Sequence, residues 1–123
     1  MQLKELLYSP KLNSLAAQNS VKHNLSQRAK FYKKSLRQAY DRRFDLIVSN
    51  PPYINKKDIK NLEDDIKKFE PKLALDGGND GLDVIKKVIY KSRSILKKKG
   101  MLALEIGNEQ QQEVSKILSK NKF

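Results

Sequence analysis

The apolar run Phe44-Asp45-Leu46-Ile47-Val48-Ser49 is followed at once by Asn50-Pro51-Pro52-Tyr53. Two successive prolines have no N–H to donate, so they cannot continue a hydrogen-bonded ladder. The residue before a proline is also driven toward extended backbone. The strand must therefore end at Ser49, and Asn50 and Tyr53 stand in a stiff corner at its carboxyl end. A near-continuous apolar strand of this kind predicts burial on both faces of a parallel sheet. In open parallel sheets ligands collect at the carboxyl ends of the strands, so the corner reads as a site.

The remaining elements agree with that frame. Ser9-Pro10 predicts an N-cap and first helical residue, with Leu12, Leu15, Ala16 and Asn19 at helical spacing, giving a helix over 10–24. A short strand is predicted over 28–33, then a polar connection or short helix over 37–43. Residues 55–70 read as a charged loop with weak helix. Asp-Gly-Gly-Asn-Asp-Gly (76–81) is the strongest turn signal and reads as a turn and N-cap. It is a poor calcium loop, because Lys87 stands where a twelfth-position Glu is needed. A helix over 80–98 puts Leu82, Ile85, Ile89, Ser92 and Leu96 on one face, with Gly100 as its stop and Lys97-Lys98-Lys99 at its C-terminus. A second buried strand follows over 101–107. A last helix covers 108–121, with Val114, Ile117 and Leu118 facing inward. The order is helix, strand, strand, loop, helix, strand, helix, which predicts an α/β domain with a mostly parallel sheet flanked by helices.

Composition removes several chemistries. The 123 residues contain no cysteine and one histidine, His23, so disulfides, thiolate zinc sites, cysteine nucleophiles and histidine triads are excluded. Glu63, Asp64 and Asp65 read as a solvated helix face, and no metal site is expected. No apolar run approaches the roughly 18 residues of a membrane span. The N-terminal residues lack the core of a signal peptide, and a cytoplasmic chain is expected. Net charge is +12, with 21 lysines against 5 arginines. That skew suits a solvated basic surface better than a phosphate-gripping face built of arginine forks.

The corner has the chemistry to hold an NH₂ group. An amide or ring amine is a poor nucleophile because its lone pair is delocalised. Asn50 offers a side-chain carbonyl and Pro51 a backbone carbonyl, and two fixed acceptors orient such a nitrogen and favour charge building on it. Tyr53 can stack on the flat target group. Read without context, Pro51-Pro52 is a loop stiffener and Tyr53 a packing residue; the strand before them favours a site.

"FDLIVSNPPYI" resembles the signature of class I S-adenosylmethionine-dependent amino methyltransferases. "FEPKLALDGGNDGLDVIKKVI" (69–89) is similar to the stretch that follows this signature in the peptide chain release factor glutamine methyltransferases, and the segment over 6–36 resembles their preceding helix and strand. The resemblance implies part of a Rossmann-like methyltransferase domain over 1–123. It implies methyl transfer from S-adenosylmethionine to the glutamine amide in the Gly-Gly-Gln loop of release factors. Asn50, Pro51, Pro52 and Tyr53 would be catalytic and substrate-binding, and Asn50, Ser35 and Leu36 would meet the donor. Where the family has a glycine-rich donor loop upstream of the corner, this sequence has none. Leu7 stands at the place of the ribose-gripping acid and Ser35 at that of the adenine-side Asp. An incomplete domain lacking the glycine-loop strand is therefore expected. The alternatives are an adenine-N6 DNA or guanine-N2 ribosomal RNA methyltransferase and, in another class, an inactive basic remnant with weak nucleic-acid contact.

Overall fold

The computed structural model describes residues 3–6, 10–32, 43–62, 66 and 72–123. The chain divides into two compact units, Met1–Ala39 and Tyr40–Phe123. In the first, strand β1 (Leu3–Leu6) leads to helix α1 (Pro10–Lys22) and strand β2 (Ala29–Tyr32). The two strands pair in parallel, Leu3 opposite Ala29 through Leu6 opposite Tyr32. Parallel neighbours need a crossover, and α1 supplies it. The helix starts at the predicted proline. Its apolar stripe differs from the expectation: Leu12 and Leu15 are 52% and 51% exposed. A stripe at helical spacing requires a partner surface to become a buried face, and α1 does not bury these two side chains.

The second unit holds strand β3 (Phe44–Ser49), a 3₁₀ turn (Asp58–Asn61), helix α2 (Lys72–Leu75), helix α3 (Asp83–Ile95), strand β4 (Leu96–Leu104) and helix α4 (Gln111–Lys120). Strands β3 and β4 are parallel, with Leu46 opposite Met101 and Ser49 opposite Leu104. The fold is thus α/β with parallel strand pairs and flanking helices. Leu82, Ile85, Ile89 and Val114 form the buried cluster, and Leu102, Leu104, Ile106, Ile117 and Leu118 pack against it. Ile85 and Ile89 are fully buried, each gaining about 1.5–3 kcal/mol from leaving water. The face read for α3 is therefore the core face, with Val88 added to it.

Three expectations in this unit are corrected, the first being the buried strand over 101–107: β4 spans Leu96–Leu104 and leaves Met101 65% exposed. The strand β3 is not buried on both faces: Leu46 is 49% and Val48 73% exposed. Burial of an apolar strand depends on what covers it, and β3 has a hydrogen-bonded strand on one edge only among the described residues. Helix α3 also ends earlier than 98. Leu96 is already extended, its N–H bonds the Ser92 carbonyl, and its side chain is buried. Gly100 is therefore not the helix stop, and Lys97-Lys98-Lys99 does not lie on the helix. These residues form a bulge in β4 between the Leu96 and Met101 pairings, where Lys99 takes φ 69°. Lys97 Nζ meets the Asp45 carboxylate at 2.8 Å, and Arg43 Nη1 donates to the Leu96 carbonyl at 3.3 Å. Both contacts lie at the amino end of β3.

Candidate active site

The corner follows β3 directly. Glu105 N donates to Ser49 O at 3.0 Å, the last bond of the β3–β4 ladder. Beyond it the chain leaves the sheet as the prolines require. Pro51 is buried, Pro52 and Tyr53 are half-buried, and Asn50 is exposed. Among the described residues nothing hydrogen-bonds the Asn50 carboxamide, and no N–H claims the Pro51 carbonyl. Both acceptors are free among the described residues.

Backbone bonds hold the corner from behind. Ile54 forms a parallel bridge with Asp76: its N–H donates to Leu75 O at 3.1 Å, and its carbonyl accepts from Gly77 N at 2.8 Å. Lys56 N donates to Gly78 O at 2.9 Å. The turn over 76–81 thus does more than start α3, because its main chain lies against the segment that follows Tyr53. Gly81 shows why glycine is needed. It takes φ 72°, and a Cβ there would stand 2.4 Å from the Tyr53 carbonyl oxygen. The N-cap reading of this turn holds in modified form. Asp80 Oδ1 accepts from Leu82 N at 2.9 Å and Oδ2 from Lys86 Nζ at 2.7 Å, although Leu82 is the N-cap residue. The Lys86 ammonium, then the Leu82 N–H, hold the Asp80 carboxyl below its usual range.

Tyr53 takes the packing role weighed for it. Its ring packs against the core cluster, and its hydroxyl donates to Glu105 Oε1 at 3.2 Å. That hydrogen bond, with smaller contributions from desolvation and the Glu105 charge, raises the Tyr53 phenol above its ordinary value. A raised pKa means the pair contributes stability below the unfolded phenol's pKa, and this is lost as pH rises through the folded one. In Glu105→Ala, which removes the acceptor, Tyr53 is expected to ionise at lower pH than in the parent. A phenolate absorbance titration of the two proteins, read as a difference, checks this; identical curves would remove the hydrogen bond from the account.

Gln110 went unread in the sequence. Its Nε2 donates to Tyr53 O at 3.0 Å and to Gly81 O at 3.3 Å, while its Oε1 accepts from Gly107 N at 2.9 Å. The signal was a glutamine just ahead of a helix, three residues past a glycine; its partners, 57 and 29 residues away, leave no local trace. Ser35 and Leu36 lie outside the described residues, as do Glu63, Asp64 and Asp65.

A family model described as "Eco57I restriction-modification methylase" matches residues 3–121. The chain belongs to the Eco57I restriction-modification methylase family. The chain is also similar to a release factor glutamine methyltransferase of Clostridium botulinum, at 47% identity over 109 residues, 86% of the chain and 38% of the relative. A protein of the same name from Geobacter sulfurreducens is 38% identical over 116 residues, 94% of the chain and 40% of the relative. A ribosomal protein uL3 glutamine methyltransferase of Francisella tularensis is 41% identical over 98 residues, 79% of the chain and 31% of the relative. The resemblance read from the corner and the segment after it therefore holds. The Eco57I-family chain spans about a third of the length of these curated relatives.

Proposed function

We propose that residues 1–123 are part of a methyltransferase catalytic domain that methylates the side-chain amide nitrogen of a glutamine, in the Gly-Gly-Gln loop of peptide chain release factors, in the cytoplasm. The observation that carries this reading is the pair of free acceptors at Asn50 and Pro51 on a corner braced by main-chain bonds. The glutamine methyltransferases among its relatives supply the substrate class.

Asn50 Oδ1 and the Pro51 carbonyl accept the two N–H groups of the target amide. This fixes the plane of the nitrogen and stabilises the positive charge that develops there as it attacks. Pro51 and Pro52 keep the two acceptors from relaxing apart. The ring of Tyr53, held by the core and by Glu105, borders the place where the flat amide lies. The corner offers the cationic group of S-adenosylmethionine free acceptors and the nearby Glu105 carboxylate, whereas Arg43 and Lys97 are engaged at the far end of β3. Asn50 would meet this donor, which when bound supplies an electrophilic methyl on a cationic sulfur. The nitrogen, once methylated, sheds one proton to water and is neutral again.

The family description favours a second reading, in which the same grip serves the exocyclic amine of DNA adenine; ribosomal RNA guanine presents the same chemistry. A labelled-methyl assay with release factor, duplex DNA and ribosomal RNA in parallel decides between them. Label is expected in the release factor and absent when its Gly-Gly-Gln glutamine is replaced by Glu. Label in nucleic acid alone would establish the second reading. No label anywhere, with no donor binding by titration, would leave the inactive remnant.

A further inference from the structure

We propose that Gln110 is a positioning residue, whose side-chain amide sets where the Asn50–Pro51 acceptors stand. Three segments meet at it. Both of its N–H groups are used, on the carbonyls of Tyr53 and Gly81, and its carbonyl takes the Gly107 N–H. The corner, the glycine turn and the β4–α4 connection are thereby joined through one planar group. Among the described residues it is the only side chain that bonds the backbone of residues 50–53. Its own anchor is firm: Gln110 O accepts from Val114 N at 2.9 Å in the first turn of α4, and Val114 is in the core.

The proline ring constraint makes this anchor matter at a distance. With φ fixed at both Pro51 and Pro52, few torsions remain between the Tyr53 carbonyl and the Pro51 carbonyl. Holding the first restricts the second and, through it, Asn50. Gln110 itself touches no substrate. Its catalytic consequence rests on the methyl-transfer reading, since a misplaced acceptor costs rate through lost orientation.

The test compares Gln110→Glu with Gln110→Ala. Glu keeps the shape and the acceptor for Gly107 N but offers no N–H to the two carbonyls; Ala removes both functions. Two readouts are taken on the whole chain. The first is the Asn50 side-chain amide pair in ¹⁵N–¹H spectra, with the methyl signals of Ile85, Ile89 and Val114 as a core reference. The Asn50 pair is expected to shift or broaden in both variants while the core methyls stay in place. The second is steady-state methyl transfer: kcat is expected to fall about 10–100-fold in both variants, with KM within about threefold. An unmoved Asn50 pair, an equal disturbance of the core methyls, or an unchanged kcat in an active chain would overturn the role. If the parent transfers no methyl to any substrate, the methyl-transfer reading fails by itself, and the Asn50 signals still decide whether Gln110 sets the corner.

Discussion

Asn50→Ala is expected to leave the chain as stable as the parent and to lower methyl transfer by about 10²–10³-fold or more. The first half follows from exposure. Asn50 is open to solvent and its carboxamide bonds nothing among the described residues, so truncation opens no cavity and orphans no partner. Surface changes of that kind stay within about 0.5 kcal/mol. The second half follows from its place in the proposed grip. One of two acceptors facing the developing charge is gone, and loss of a single preorganised group of this type costs about 3–4 kcal/mol in the transition state. The Pro51 carbonyl remains, which leaves a residual rate. Thermal melts beside a labelled-methyl assay measure both halves on one preparation. A variant that melts with the parent and transfers methyl at the parent rate would show that the free carboxamide is not the gripping group.

Gly81→Val is expected to damage fold and activity together. The backbone at Gly81 takes φ 72°, a region where a β-branched residue is strained by about 1–3 kcal/mol. Space is the larger difficulty. A Cβ would lie 2.4 Å from the Tyr53 carbonyl oxygen, 2.8 Å from Gln110 Nε2 and 3.3 Å from Asn55 N. Two of those neighbours are main chain, in a segment tied down by the Ile54 and Lys56 bonds to the glycine turn, and cannot swing aside. The corner must move, the Gln110 bridge must break, and a further 1–3 kcal/mol or so of overpacking adds to the strain. Denaturant unfolding should show a loss of about 2–6 kcal/mol. Methyl transfer, measured at a temperature where the variant is still folded, should fall as well, because the displaced segment carries the acceptors. Full activity in a destabilised but folded variant would separate the glycine turn from the site.

What was legible in the sequence was legible because it is local. The strand ahead of Asn50, the stop imposed by Pro51-Pro52 and the buried face of α3 each follow from spacing or ring chemistry within a few residues. The contacts that complete the site join residues far apart in the chain. Tyr53 to Glu105, Gln110 to Tyr53 and Gln110 to Gly81 have no periodicity to announce them. The turn over 76–81 was recognised as a turn, because glycine and Asx chemistry are local signals. That its glycines admit the Tyr53 carbonyl was hidden, since close approach depends on what lies opposite. The exposure of Leu46 and Val48 was missed for a related reason: an apolar run records a tendency to be covered, and the cover is a property of other segments. Leu96 misled differently, since a buried leucine at helical spacing served equally well as the first residue of a bulged strand.

The segment behind the corner is tied to the glycine turn through main-chain bonds, Ile54 to Leu75 and Gly77 and Lys56 to Gly78, and one side chain within it, Asn55, accepts from Lys57 N at 2.9 Å. The main-chain bonds are indifferent to side-chain identity. The side chains of Ile54, Lys56 and Lys57, unlike that of Asn55, can therefore change over evolutionary time, or by design, while the Asn50–Tyr53 corner keeps its shape. A fold of this kind can be re-addressed to a new docking partner by redecorating the outer rim of a fixed chemical centre.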